Sequence, residues 1–124
     1  MQVAQAHEES QGARVWYVHT PELARRAGLP DYPGFDLLSE RLNGEKRSIE
    51  VKGRARVGEI EVSGNEWAKA CNLRDRYWLH VVFECASATP RLLRVPDPFG
   101  CLLANNRGGV TIESTAVFNA ADPG

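Results

Sequence analysis

The sequence lacks an excess of positive charge and has few cysteines. Fifteen Lys and Arg residues are balanced by 16 Asp and Glu residues, which gives a formal net charge of −1. No global basic field is therefore present to hold nucleic acid through its phosphates, and such binding needs a local patch or a neighbouring domain. Cys71, Cys85 and Cys101 are widely spaced, odd in number and without zinc-binding spacing. We expect them to be reduced core residues of a cytoplasmic protein.

Long apolar runs, repeats and low-complexity tracts are also lacking. No stretch is long and apolar enough to predict a membrane span, and we expect neither a signal peptide nor a membrane partner. A content of 43% hydrophobic and 25% charged residues excludes disorder as the default. The length predicts one domain over residues 1–124. Because its first helix begins without a cap, we expect a domain excised from, or appended to, a larger protein.

Charged side chains interrupt two stretches that are otherwise typical of buried strands. Within residues 47–53, Ile49 and Val51 are expected on one face of a strand, and Glu50 and Lys52 on the other. Upstream, Asp36 interrupts the apolar run 34–38. An Asn-Gly pair at 43–44 predicts that a hairpin joins the two stretches.

Charge pairing favours one register for this hairpin. A two-residue turn would place Arg41 opposite Lys46, which is a contact between like charges. A three-residue loop with Gly44 in the left-handed conformation instead places Asp36 opposite Glu50. A slip of one residue would turn every side chain to the other face, so the two registers predict different sites. We expect the three-residue loop.

This register predicts a metal site. It gathers Asp36, Glu50 and Lys52 on one sheet face, where two carboxylates repel each other unless a cation lies between them. Oxygen ligands favour magnesium or manganese. A lysine beside such an ion suits a phosphate that gains charge during a reaction. We also expect one of the two carboxyl groups to have a raised pKa when no metal is bound.

Two sets of motifs resemble known families. Gly34-Phe35-Asp36 followed by Ile49-Glu50-Val51-Lys52-Gly53 resembles the PD-(D/E)XK, or restriction-endonuclease-like, nuclease superfamily, with Phe35 where a proline often stands. Stretches 65–68, 75–79 and 96–98 resemble the NO VEIN C-terminal subgroup, which is often appended to helicases and defence proteins. Both the resemblance and the order of predicted elements imply an α/β fold of three layers, with a mixed central β-sheet flanked by helices.

The resemblance also implies an activity. The expected function is a metal-dependent endonuclease that hydrolyses nucleic-acid phosphodiester bonds, with DNA as the substrate, in a restriction, phage-defence or helicase-associated setting with a tethered partner domain. Asp36, Glu50 and the Val51 carbonyl would hold Mg²⁺ or Mn²⁺, and Lys52 would act on the phosphate. From the first helix, Glu9 rather than Glu8 is the expected additional carboxylate.

Three basic residues are candidates for contact with the nucleic-acid backbone, namely Arg54, Arg56 and Lys69. Glu66 is expected to be structural, as part of a capping box with Ser63, and His80 is expected to be a core histidine with its hydrogen bonds satisfied. Two alternatives remain open. In the first, the chain is a catalytically inactive nucleic-acid-binding module on the same fold. In the second, it is a protein-interaction domain in which Glu50 and Lys52 form a plain salt bridge.

Overall fold

The computed structural model of the chain describes residues 1–102, 105–106 and 110–123. The helices are α1 (Gln2–Ser10), α2 (Pro21–Arg26), α3 (Gly64–Leu73), α4 (Pro98–Cys101) and α5 (Ser114–Ala120). The strands are β1 (Arg14–Tyr17), β2 (Leu37–Glu40), β3 (Lys46–Arg54), β4 (Ile60–Val62), β5 (Tyr77–Phe83), β6 (Arg91–Pro96), β7 (Asn105–Asn106) and β8 (Val110–Ile112). None of the described helices has the length and apolar character needed to cross a membrane.

A mixed sheet of five strands forms the centre of the fold, as the sequence predicts. Its order is β1-β2-β3-β5-β6, with β3 and β5 parallel and the other neighbours antiparallel. Every residue of β5 is buried, as expected for a strand that is covered on both faces. The parallel pairing requires a crossover from β3 to β5, and this crossover contains β4 and α3.

Helices cover both faces of this sheet. On one face, Ala4 of α1 packs against Leu37, Ile49 and Trp78. On the opposite face, Ala24 of α2 and Ala70 of α3 share a second cluster with the sheet. A smaller sheet, of order β4-β8-β7, and helix α5 cover the β5–β6 end of that opposite face. The result is the expected arrangement of layers around a mixed sheet.

The hairpin between β2 and β3 has the register that charge pairing predicts. Leu37 pairs with Ile49, and Glu40 pairs with Lys46. Gly44 has φ of +87°, and its N–H donates to the Arg41 carbonyl over 2.9 Å. The left-handed conformation explains why glycine stands there. The three-residue loop is therefore confirmed, and with it the face to which each strand residue points.

Side-chain caps fix the starts of α2 and α3, and the cap of α3 is the one that the sequence predicts. The Thr20 side chain accepts from the Leu23 N–H at the start of α2. Ser63 and Glu66 form a complete capping box at the start of α3. Such caps satisfy backbone N–H groups that have no partner within the helix.

Two expectations about the core are wrong. The three cysteines are all free and exposed. Cys71 illustrates the reason, because α3 buries its neighbour Ala70 against the sheet, and the next helical position lies about 100° round the helix. His80 is buried as expected, but within residues 1–102, 105–106 and 110–123 neither of its ring nitrogens has a hydrogen-bond partner. It points to the α1 face, where its ring neighbours are His7 and Trp78.

Candidate functional site

Asp36 and Glu50 meet in one cleft on the sheet face opposite α1. Leu37 and Ile49 pack towards α1, so the preceding Asp36 and the following Glu50 point the other way. The cleft has a volume of about 200 Å³, and its lining includes both carboxylates, Glu66 at the start of α3 and the loop 31–35. Lys52 shares their face, because it lies two residues after Glu50 on the same strand.

The Asp36 carboxylate is held by the backbone of β3. Its Oδ2 accepts a hydrogen bond from the Val51 N–H over 2.9 Å. Strand β2 begins only at Leu37, so the aspartate side chain takes the place that a backbone carbonyl would fill in a longer ladder. Because the N–H and the carbonyl of a strand residue point to the same edge, the Val51 carbonyl lies on the edge where Asp36 is held.

Glu50 is the most perturbed acid of the cleft. It is only 3% exposed, and its Oε2 has no hydrogen-bond partner in the part of the chain that the structure describes. Burial, the charge of Asp36 and the neighbouring Glu66 raise the pKa of Glu50 to about 10, against an opposing effect of Lys52. Without a bound cation Glu50 therefore keeps its proton at neutral pH. The raised pKa agrees with the expectation that one acid of the pair would be neutral.

Lys52 is tied to Glu66 rather than to Glu50. Its Nζ lies 2.8 Å from Glu66 Oε1, which also accepts from the Ser63 N–H over 2.9 Å. Burial lowers the pKa of Lys52, but the hydrogen bond to Glu66 and the surrounding acids outweigh it, so the net pKa is raised. Burial likewise raises the pKa of Glu66, and the hydrogen bond from Lys52 brings it below its usual value. Both groups are therefore charged.

Glu66 is a site residue that the sequence analysis missed. The capping box predicted its contact with the Ser63 backbone, and the structure confirms that contact. Its second contact, with Lys52, arises because the crossover brings the first turn of α3 over β3. A glutamate that caps a helix directly after the Glu-x-Lys strand is the signal that could have identified it. Among the described residues the ion pair of Lys52 is with Glu66, and none joins Lys52 to Glu50.

The first helix does not deliver Glu9 to the cleft. Glu9 is exposed near the end of α1, and it is not among the residues that line the cleft. Its neighbour Glu8 is the inward-facing acid, and it accepts hydrogen bonds from Ser39 over 2.8 Å and from Arg41 over 2.7 and 3.0 Å. These partners lie on the α1 face of the sheet. The preference for Glu9 fails because the stripe of α1 that packs on the sheet contains Ala4 and Glu8.

The three predicted nucleic-acid contacts lie on different sides of the cleft. Arg54 and Arg56 are exposed at the end of β3 and in the loop after it, and Arg54 Nη1 donates to the Glu59 carbonyl over 3.0 Å. Lys69 lies on α3 against Gly34 and lines a separate groove. His19, Tyr32 and Asn65 also line the cleft. Of these, only Asn65 lies in a stretch that the sequence analysis singled out, and none was expected at the site.

Comparison with known proteins agrees with both resemblances. A search of curated protein sequences gives no match. Among solved structures, the chain is similar to the Holliday junction resolvase Hjc of the archaeal hyperthermophile Archaeoglobus fulgidus, with a TM-score of 0.67 and 12% sequence identity. The alignment covers 98% of this chain and 95% of that one. This likeness shows the restriction-endonuclease-like fold that the sequence implied.

The family assignment rests on the sequence itself. Residues 1–95 match the family described as Protein NO VEIN, C-terminal, and this match covers well over half of the chain. It includes β2, β3, α3 and β5, which are the elements that build and support the cleft. The chain belongs to the Protein NO VEIN, C-terminal family, on a restriction-endonuclease-like fold.

Proposed function

We propose that this chain is a metal-dependent nuclease domain that hydrolyses phosphodiester bonds, with DNA as its substrate. One observation carries the proposal: Glu50 is buried beside Asp36, and one of its oxygens has no hydrogen-bond partner among the described residues. Burying a second acid next to the first costs free energy, because the charged form loses its hydration and repels its neighbour. A divalent cation held by both carboxylates would offset this cost and explain the arrangement.

The donor set fits magnesium or manganese. Asp36 and Glu50 offer carboxylate oxygens, and Val51 offers a carbonyl on the edge where its N–H binds Asp36. Such all-oxygen sets suit hard cations, and magnesium usually keeps several waters beside one or two carboxylates. In the described part of the chain, no group of three or more His, Cys, Asp or Glu side chains could hold a metal. The proposed protein ligands are the two acids and the carbonyl, with water completing the coordination.

Lys52 and Glu66 supply the chain's own contribution to the reaction. When bound, the ion lowers the pKa of a coordinated water and stabilises charge on the phosphate. Lys52 is kept protonated by the acids around it, so it presents a fixed positive charge where negative charge develops on the phosphate. Glu66 acts as a positioning residue, because its hydrogen bond over 2.8 Å fixes the ammonium group. A charge fixed in advance needs no rearrangement during the reaction.

Substrate affinity would come from local basic groups and from a partner domain. The net charge of −1 gives little general attraction to phosphates. Arg54 lies at the end of β3 beyond Lys52, Arg56 lies in the loop that follows, and both are exposed. A nucleic-acid strand that leaves the cleft in this direction would meet them. A tethered helicase or other domain would raise the effective concentration of substrate. The structurally similar protein is a Holliday junction resolvase, which supports DNA as the substrate class.

Metal binding is the first test. Isothermal titration with magnesium and manganese should show binding to the wild type and to Glu61→Gln, a control that removes an exposed acid of β4. Glu50→Gln should lose most of this affinity, because an uncharged amide is a poor ligand for a hard cation. Equal affinities in all three proteins would contradict the metal site.

Cleavage is the second test. Wild type and Glu61→Gln should cut DNA in magnesium or manganese, and weakly, since the isolated domain lacks a basic field. Lys52→Ala should abolish cleavage and leave metal affinity largely intact, because an ammonium acts mainly on charge that appears in the transition state. A wild type that leaves single-stranded and double-stranded DNA and RNA uncut in both metals would end the nuclease proposal.

A non-cutting nucleic-acid-binding module is the second candidate, and the ion pair between Lys52 and Glu66 favours it. An ammonium already paired with Glu66 has less charge to offer to a phosphate that gains negative charge during cleavage, whereas binding can rely on other cations such as Arg54 and Arg56. Glu66→Gln separates the candidates, since it frees the lysine and removes a negative charge. A nuclease should then show a lower kcat, because the lysine is no longer positioned, whereas a binding module should only bind nucleic acid more tightly.

A further inference from the structure

A second concavity lies beside the cleft and has the opposite charge. We call it the basic groove; it has a volume of about 240 Å³. Its floor includes Leu29, Leu38 and Leu73, and its rim includes Lys46, Lys69 and Arg76. None of the described residues that line it is acidic. In the described structure the three cations form no ion pair within 4.0 Å, so their charge is available to a ligand.

A rigid wall separates the basic groove from the cleft. Pro33 and Phe35 line both concavities, so the segment 33–35 has one on each side. Gly34 at its centre accepts a hydrogen bond from the Tyr77 hydroxyl over 2.8 Å. Its φ is +85°, and a Cβ there would lie 2.8 Å from Cβ of Lys69. The wall is thus fixed against β5 and α3, and a ligand that crosses it would enter both concavities in a defined order.

An exposed aromatic ring stands on the cleft side of this wall. Tyr32 is 77% exposed although it lines the cleft. Its neighbours restrict the backbone, because Asp31 pairs with Arg25 over 2.9 Å and Pro33 is buried. A ring held out into solvent by an ordered loop is a platform on which a base can stack.

From this arrangement we propose that Tyr32 and the basic groove, on the two sides of the wall, bind successive nucleotides of an unpaired strand next to the phosphate in the cleft. The substrate class is accordingly nucleic acid with single-stranded character at the cleavage position. Cations on the rim match the phosphates of such a strand, and the leucine floor and Tyr32 match its base and sugar. A base inside a duplex is paired and stacked, so it cannot reach the floor. The inference rests on the proposed function, because the cleft supplies the neighbouring phosphate.

Fluorescence anisotropy with labelled oligonucleotides tests the inference. Probes are single strands of DNA and RNA and their perfect duplexes, titrated in magnesium and checked for integrity afterwards. In Lys69→Met/Arg76→Met, the methionines keep the aliphatic stems while the charges are lost. Matched controls are Arg26→Met/Arg91→Met, which removes two exposed cations elsewhere, and Leu42→Ala, which truncates a side chain 87% exposed at the hairpin tip.

The expected result is selective for unpaired strands. The groove double variant should bind them about tenfold more weakly, and its log–log salt slope should fall by about 1.4, or about 0.7 for each lost phosphate contact. Tyr32→Ala should also weaken their binding about tenfold. The controls should match the wild type, and duplex binding should change little. Dependence on the groove in either DNA or RNA supports the inference and identifies the nucleic acid.

Two results would overturn the inference. One is binding of single strands by the groove and Tyr32 variants at wild-type affinity. The other is equal loss of affinity for duplexes and single strands, which would make the cations a general phosphate patch. Cleavage and metal titration remain the tests of the proposed function itself. If the wild type cleaves nucleic acid but the groove variants bind single strands normally, only the inference about the groove is refuted. If binding depends on the groove but no cleavage occurs, only the proposed nuclease activity is refuted.

Discussion

The raised pKa of Glu50 predicts an unusual dependence of stability on pH. In the folded chain the group keeps its proton up to a pH of about 10, whereas in the unfolded chain it ionises near 4.5. Between these values the folded state binds one more proton than the unfolded state, so stability falls as the pH rises. The loss is about 1.4 kcal/mol per pH unit for one proton. Glu50→Gln keeps the shape of the side chain and removes this proton.

Comparison of the two proteins isolates the effect. Urea unfolding at pH 7, 8 and 9, without divalent metal, should show the wild type losing about 3 kcal/mol relative to Glu50→Gln over this range. The other titrating groups are common to both proteins and cancel in the difference. The range also lies above the ordinary histidine pKa, so the buried His80, whose pKa is lowered to about 3, contributes no slope there.

Magnesium should change the pH dependence of the unfolding free energy in the wild type alone. A bound cation favours the ionised form of Glu50, so saturating magnesium should remove the wild-type slope and leave Glu50→Gln as it was. Parallel pH profiles of the two proteins without metal would refute the reasoning, because they would mean that Glu50 ionises equally easily in both states. A slope that survives saturating magnesium would refute the metal-binding role of this acid.

Three further predictions concern the fold around the site. Glu8→Ala should cost about 3–5 kcal/mol of unfolding free energy, because it leaves the largely buried Arg41 without its partner. Glu9→Ala, one residue away and exposed, should change the unfolding free energy by no more than about 0.5 kcal/mol. Similar losses in the two variants would contradict the assignment of Glu8 as the packed acid. The pKa of Glu8 is lowered in the fold, because the hydrogen bonds from Arg41 and Ser39 outweigh the effect of burial. Ionised Glu8 should therefore add to the free energy of unfolding above its unfolded pKa, and this contribution should disappear as acid protonates the folded group. Urea unfolding of wild type and Glu8→Gln at decreasing pH measures the difference. Gly34→Ala should cost about 1–3 kcal/mol more than Gly28→Ala, since both residues have a left-handed φ but only the Gly34 position lies against Lys69; equal losses in urea unfolding would show that the wall yields freely.

Sequence reasoning succeeded where the determining interactions are local. The Asn-Gly turn and the charges beside it fix the register of the hairpin, and β-strand alternation then places Asp36 and Glu50 on one face. The capping box of α3 depends on residues three positions apart, and it was predicted correctly. These features need no knowledge of how distant segments pack.

The rest depends on long-range packing. A helix residue moves about 100° round the axis per position, so the choice between Glu8 and Glu9 rests on which stripe of α1 meets the sheet. The contact of Glu66 with Lys52 follows from the position of α3 over β3, which a capping motif does not specify. The exposure of Cys71 has the same origin, because a helix of ten residues that packs through Ala70 leaves its neighbouring position to solvent.

The hydrogen bond from Val51 to Asp36 makes one backbone amide a reporter for the cleft. This N–H is bound by a side chain rather than by a neighbouring strand, so its protection against hydrogen exchange depends on where the aspartate is held. A ligand that immobilises the carboxylate should slow exchange at this amide, while the ladder amides of Ile49 and its neighbours keep their rates. A single resonance in an NMR spectrum would then follow occupancy of the cleft without a label, a substrate or turnover.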